Sequence, residues 1–281
     1  MEQEALGTKK KFWYRKNRSL SSWLFKYPQV GVGQHWSEKI AAELASEVKI
    51  FRAKVKLAVF DGHKGSATEN FSEGADLYHG NQILAGYVLG YDREKKRRQS
   101  DHTLVNIFSA LDKTFNEVAL KYKRVMADYL VLDALIGNTD RHHENWGVVR
   151  KHKDGKWSGY LAPSFDHASS LGRELVDEGR AKSRLAIMRS SGGMRAYSER
   201  AEGAIFWEKT DNCGFNPIEL VRRANDAYPS IIGPALKKLD LLNKRAVARI
   251  VERVPRDWMS DIAKSFTVDL VWYNLGVLKE I

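Results

Sequence analysis

Residues 133–170 read DALIGNTDRHHENWGVVRKHKDGKWSGYLAPSFDHASS, and the rest of the chain is organised around this stretch. An apolar helix leads in and stops at Gly137, so a polar cluster begins where regular structure ends. Asp140, His142 and Asn145 fall within one short loop, and Asp166 follows a polar hairpin. Loops held on a rigid scaffold are where reactive groups are usually presented. A carboxylate that can take a proton thus stands beside two side chains that can offer oxygen to a hard cation.

The 281 residues are enough to bury a full core as one large domain or two lobes. A hydrophobic content of 43% with 11% aromatics excludes a disordered chain. One cysteine, Cys213, excludes an internal disulfide framework and a Cys-rich zinc site, and a reducing cytoplasm is the expected compartment. The charged N-terminus lacks the apolar core of a signal peptide, and no run approaches the roughly 20 apolar residues of a membrane span. The net charge of +11 comes from 46 Lys and Arg against 35 Asp and Glu. It gathers at Lys9-Lys10-Lys11, Arg15-Lys16, Arg18 and Lys95-Lys96-Arg97-Arg98. Such a surface attracts acidic proteins, polyphosphates or nucleic acid. No zinc-finger spacing or recognition-helix pattern supports nucleic acid, and a solvated surface is the plain alternative.

Outward from the central stretch, aromatic-rich strands are expected at 12–14 and 23–27, joined by the turn RKNRSLSS. Lys26 ends the second strand, and a partly buried lysine there needs a charge partner. A helix is expected from His35 to about Val48, with Ile40, Ala41, Leu44, Ala45 and Val48 on one face. Glu38 falls in its first turn, where the helix dipole favours a carboxylate. Glu43 on the same helix is a competing partner for Lys26. Val55, Leu57 and Val59 mark a half-buried strand ending at Asp61-Gly62, with 65–70 pairing back. Tyr78-His79-Gly80-Asn81 opens the crossing to a second lobe, and 91–101 reads as an exposed charged loop. Leu104, Ile107, Phe108, Leu111 and Phe115 form one buried helical stripe; Val125, Met126, Tyr129, Leu130 and Ile136 form the next. Strands at 146–149 and 157–161 join through Asp154-Gly155. Residues 173–201 read as polar and irregular, and helices are expected at 217–228, 244–254 and 258–278.

Lys26, Glu38, Asp140 with Asn145, and Asp166 occur in the order that phosphoryl transfer requires of a kinase, and Asp140 and Asn145 have its Asp-x-x-x-x-Asn spacing. The lysine neutralises phosphates and the glutamate holds the lysine. Asp140 orients the acceptor hydroxyl or takes its proton. Asn145 and Asp166 supply oxygen ligands to Mg²⁺. His142 orients the loop or contacts the transferred phosphate, while His143 has no assignable role. Taken singly, Asp140 and Asp166 are also ordinary turn-capping residues. A transition-metal site of His142, His143, His167 and Asp140 is another possibility. A phosphoinositide-type lipid kinase shares an Asp-Arg-His-x-x-Asn loop and would suit the basic surface. A kinase-fold binding module without turnover is a third reading.

Residues 138–147, NTDRHHENWG, and 161–167, LAPSFDH, resemble the two hallmark segments of the HipA-like serine/threonine kinases. Trp23-Leu24-Phe25-Lys26 and Glu38-Lys39-Ile40-Ala41 are similar to that family's ATP lysine and helix glutamate, and Val254-Pro255-Arg256-Asp257-Trp258-Met259 also resembles short members. The resemblance implies an α+β, bilobal protein-kinase-like fold with a small β-rich N-lobe, 1–90, and a larger all-helical C-lobe, 91–281. It implies ATP and Mg²⁺, transfer to a Ser or Thr of a protein substrate, and frequent membership of a toxin–antitoxin module with an antitoxin protein as partner. By motif, Lys26 and Glu38 serve ATP, Asp140 with His142 serves catalysis, and Asn145 and Asp166 bind metal. Gly7-Thr8-Lys9 resembles the family's phosphate loop Gly-x-x-x-Lys, with Lys11 as its lysine. The segment that precedes the core in full-length members has no counterpart in this chain, so an antitoxin contact through it is not expected. Members that silence themselves modify a serine just before that glycine. Residues 3–6 hold none, leaving Ser19, Ser21 and Ser22 as candidates for autophosphorylation.

Overall fold

The computed structural model describes residues 2–3, 10–15, 21–179 and 182–281, with residues 2–3 given by their backbone alone. Aromatic and β-branched residues between turns build a five-stranded antiparallel sheet: β1 (Glu2–Gln3), β2 (Lys11–Arg15), β3 (Ser22–Lys26), β4 (Val55–Phe60) and β5 (His63–Glu69). The strand order is β1-β2-β3-β5-β4. Asp61 and Gly62, both at positive φ (48° and 72°), make the two-residue turn whose twist matches a hairpin. The register pairs Phe12 with Phe25 and Lys11 with Lys26. On one face the rings of Phe12, Phe25, Tyr27 and Phe60 pack with centroids 4.5 to 6.1 Å apart.

Helix α1 (Gln34–Glu47) crosses between β3 and β4 and packs on both β4 and β5. Ile40, Ala41, Leu44 and Ala45 are wholly buried, the stripe its periodicity prescribes. The helix starts at Gln34, so Glu38 lies in its second turn, and the dipole at the helix start does not explain its position.

A second sheet has the order β6-β7-β8, from β6 (Asp76–His79), β7 (Gly147–Lys153) and β8 (Lys156–Leu161). Residues 91–281 are therefore not all-helical. Two strands follow the polar loop because Val148 with Leu161 on one face and Val149 on the other are buried, and Asp154 (φ 51°) with Gly155 (φ 73°) turns the chain back. A side chain at Gly147 would meet the Tyr78 carbonyl oxygen at 2.5 Å, so close pairing of β6 with β7 requires glycine there.

Helices α2 (Gly80–Tyr87), α3 (Leu104–Phe115) and α4 (Ala119–Ile136) precede this sheet. From Met126 to Ile136 every residue of α4 is buried, Asp128 and Asp133 included, and α3, later helices and β8 pack around it. Gly137, at φ 63°, caps α4 in the left-handed conformation. Residues 173–201 are less irregular than their polarity suggests: they hold α5 (Arg184–Arg189), capped by Ser183, and α6 (Gly193–Glu199). Then come α7 (Pro217–Ala227), α8 (Pro229–Lys237), α9 (Lys244–Glu252) and α10 (Asp261–Lys279). The periodicity reading missed α8, which opens on Pro229 and contains Pro234. Helix α10 begins after the Ser260 cap, later than the expected 258. Among the described residues no helix is long and apolar enough to cross a membrane.

Candidate active site

The loop after α4 is built on a buried ion pair. Arg141 sends Nε to Asp133 Oδ2 at 2.7 Å and Nη2 to Asp133 Oδ1 at 2.8 Å. Asn138 adds a hydrogen bond to the same carboxylate at 2.7 Å. The remaining guanidinium protons go to the backbone carbonyls of Asn145 (2.6 Å) and Phe165 (3.3 Å) and to Ser164 Oγ (3.0 Å). One side chain thus ties the end of α4, the loop and the Asp166 segment together. Burial opposes the charged form of Arg141, yet the charge and hydrogen bonds of Asp133 outweigh it and raise the guanidinium pKa.

Asp140 projects from this support with its side chain 49% exposed. Its Oδ2 accepts from Ser169 Oγ at 3.0 Å, while Oδ1 lies 4.0 Å from His142 Nε2. His142 Nδ1 accepts from the Glu144 backbone N–H at 3.1 Å, which leaves the ring proton on Nε2, toward Asp140. Asn145 is buried and donates from Nδ2 to the Asp140 carbonyl at 2.6 Å. Its Oδ1 accepts no hydrogen bond from a described residue and remains available as a ligand.

Asp166 has φ 57°, a left-handed conformation that Asp tolerates better than most residues and that recurs where backbone is held for function. Its Oδ1 lies 3.2 Å from Lys26 Nζ. The charge partner that Lys26 needs is therefore Asp166. Glu38 is not brought to Lys26: its carboxylate is buried at 1% exposure, 3.6 Å from His167 Nδ1. Neither of its oxygens accepts a hydrogen bond from a described residue. His167 in turn shares a 2.6 Å hydrogen bond with Ser164 Oγ, joining Glu38 to the Arg141 network. Glu43, the competing candidate, pairs instead with Lys39 and Arg253. Lys11 lies opposite Lys26 across β2 and β3, whereas Gly7, Thr8, Lys9 and Ser19 lie outside the described residues. Ser22 is engaged through both its N–H and Oγ with Glu73.

The donor set decides which cation these residues suit. One carboxylate and one amide oxygen fit hard Mg²⁺, which takes few protein ligands and completes its shell with phosphate and water. No cluster of three His, Cys, Asp or Glu suited to a metal occurs among the described residues. The rings of His142 and His143 stand 6.2 Å apart and nearly perpendicular, which argues against a joint transition-metal site. His143 instead joins Tyr91 through Nδ1 at 2.7 Å, and burial lowers its pKa to about 4. His102, between Trp146 and the Ala204 carbonyl, is lowered by burial to about 3. Both rings are neutral structural groups at pH 7.

Sequence reasoning passed over Asp133, Arg141, Ser169 and Tyr91. A signal existed for the first two: Asp133 interrupts an otherwise apolar helix end, and a charge in such a place is paired. Ser169 and Tyr91 reach the loop only through the folded chain.

Solved structures share this fold. A Helicobacter pylori proinflammatory kinase, CtkA, superposes with a TM-score of 0.82 at 17% identity, covering 99% of this chain and 93% of its own. HipA of Shewanella oneidensis, solved with HipB and operator DNA as a toxin–antitoxin system, gives 0.59 at 14% identity over 99% of this chain and 64% of its own. No curated protein sequence matches. The mixed fold of small antiparallel sheets and many helices is thus shared with a kinase. The model of the HipA-like C-terminal domain matches residues 4–257, and the chain belongs to that family.

Proposed function

We propose that the protein is an ATP- and Mg²⁺-dependent protein kinase that transfers the γ-phosphoryl group to a Ser or Thr hydroxyl. The observation that carries this reading is the Lys26–Asp166 contact at 3.2 Å, next to a loop in which Asn145 is fastened to Asp140. Lys26 would hold the nucleotide phosphates, and Asn145 Oδ1 with the Asp166 carboxylate would hold Mg²⁺. Bound Mg·ATP supplies the phosphoryl group and the charge neutralisation for its transfer. Ser169 fixes Oδ2 of Asp140, which leaves Oδ1 to accept the proton of the acceptor hydroxyl. His142 stands 4.0 Å from that oxygen, where it would contact the transferred phosphate or the loop. Glu38, buried 3.6 Å from His167, would serve the nucleotide site from beside the Asp166 segment rather than by gripping Lys26 directly.

The kinase likeness supports a two-lobed organisation, with 1–90 as the nucleotide lobe and 91–281 as the lobe bearing the catalytic loop. Gly7 and Lys11 would form the phosphate loop, and Ser19, Ser21 and Ser22 would be the first positions to map for autophosphorylation. The complex of the Shewanella protein with HipB supports an antitoxin protein as partner and a cytoplasmic setting.

The test is incubation with γ-labelled ATP and Mg²⁺, alone and with a bacterial lysate, using Asp140→Ala as control. Label on a lysate protein that is absent with the control supports the reading. Label that appears only in added phosphoinositide vesicles overturns protein specificity, and no label on any acceptor overturns the kinase reading.

A further inference from the structure

We infer that the acceptor side of Asp140 is built to receive an acidic protein segment, read by Arg97 and Arg98; this rests on the kinase reading above. A cavity of about 280 Å³ has Asp140 and His142 on one wall and Lys96, Arg97 and Arg98 on another. Lys26, Asn145 and Asp166 do not line it, so it meets Asp140 away from the nucleotide residues. A larger cavity of about 640 Å³, bounded by Ser169, Arg173, Tyr197 and α6, approaches from another direction. Thr139 and Glu202 line both. A segment seated in the smaller cavity would bring its hydroxyl to the Asp140 carboxylate.

The basic run is not a loose solvated tail. Lys96 pairs with Glu144 of the catalytic loop at 3.1 Å, and Tyr91 fastens the start of the run to His143 at 2.7 Å. Asn81 Nδ2 donates to the Arg93 carbonyl at 3.1 Å, and buried Gln99 donates from Nε2 to the Asp92 carbonyl and accepts from the Asp101 N–H. Arg98 itself is held at φ 51°, a conformation that a β-carbon disfavours. With Lys96 paired, Arg97 and Arg98 are exposed and form no ion pair with a described residue. An independent feature points to a ligand with polar atoms. His143 is 1% exposed and lines the same cavity; with Nδ1 taken by Tyr91, its Nε2 has no hydrogen-bond partner among the described residues. Two guanidinium forks beside the proton acceptor suit carboxylates flanking a Ser or Thr. The net charge of +11 steers such a partner toward the site.

The test is fluorescence anisotropy with a labelled peptide carrying one central serine among Asp and Glu, against its Asn and Gln counterpart. The expected result is that the acidic peptide binds more tightly. Arg97→Gln/Arg98→Asn should weaken it about tenfold while Mg·ATP affinity is unchanged. Asn accepts a left-handed backbone, so this variant removes charge without adding strain. Equal binding of the two peptides, or undiminished binding by the double variant, overturns the inference. So does tighter binding of a labelled single-stranded oligonucleotide that the same variant abolishes. Peptide binding is measured without transfer. Selective acidic binding with no label passed from γ-labelled ATP would overturn the kinase reading and leave the recognition surface standing.

Discussion

Arg141 and Asp133 meet in a two-pronged ion pair with side chains only 2% and 5% exposed, and every strand of the candidate site hangs from it. A buried pair of this kind is weak evidence for net stability, because desolvation offsets its attraction, but breaking it strands a charge. Arg141→Ala should destabilise the fold by about 3–5 kcal/mol. The double change Arg141→Met/Asp133→Leu should cost less than either single truncation. Denaturant unfolding of the three variants checks this, and a fully additive double variant would refute the coupling.

Asp140 is half-exposed and contributes one carboxylate contact to Ser169, so its removal should spare the fold. Asp140→Ala is expected to keep the wild-type melting curve and lose transfer by about 10²–10⁴-fold, the usual weight of a general base. Label incorporation measured beside thermal melting decides it. A folded variant with undiminished transfer removes Asp140 from the role of base.

Asp166 faces Lys26 from a left-handed backbone position. Asp166→Ala should weaken Mg·ATP binding by about tenfold or more and make the residual binding indifferent to Mg²⁺. Titration calorimetry with and without Mg²⁺ reads both. An unchanged metal dependence takes Asp166 out of the metal shell.

Gly137 ends α4 at φ 63°, and a β-carbon there would find its nearest neighbour at 3.8 Å. Space is available, so the cost of Gly137→Ala is the backbone conformation alone, about 1–2 kcal/mol. Gly137→Asn should cost less than Ala, because Asn adopts this conformation more readily. Urea midpoints of the two variants rank them, and Ala no worse than Asn would contradict the account.

His35, His102 and His143 are held neutral by burial, with pKa values of about 4, 3 and 4. Their unfolded values lie near 6.5, so the unfolded chain binds more protons as pH falls below that point. The stability they contribute is complete above about pH 6.5 and is lost on acidification toward pH 4 and then 3. Urea midpoints should be flat from about pH 8 to 7 and fall steadily from about 6.5 to 5. A midpoint constant over that lower range would refute the assignment.

Much of the architecture was legible because its signals are local. The stripe of Ile40, Ala41, Leu44 and Ala45 needs only helical period, and Asp61-Gly62 and Asp154-Gly155 need only turn chemistry. Helix α8 was obscured by its two prolines, and α5 and α6 by polar composition, since short helices depend on packing more than on propensity.

The sequence by itself determined the loop: Asp140, His142 and Asn145 lie within six residues of one another after a helix end, and so short a span leaves them little choice but proximity. Only the tertiary structure decided which charges meet across the chain. The sequence offered Lys26 the partners Glu38 and Glu43, and the fold gives it Asp166 instead while burying Glu38 against His167. It also brings the basic run at 96–98 to the wall facing Asp140. The physical reason is that a long-range ion pair is a by-product of packing: placing the end of β3 and the segment after β8 fixes the distance between Lys26 and Asp166. No local propensity encodes that distance.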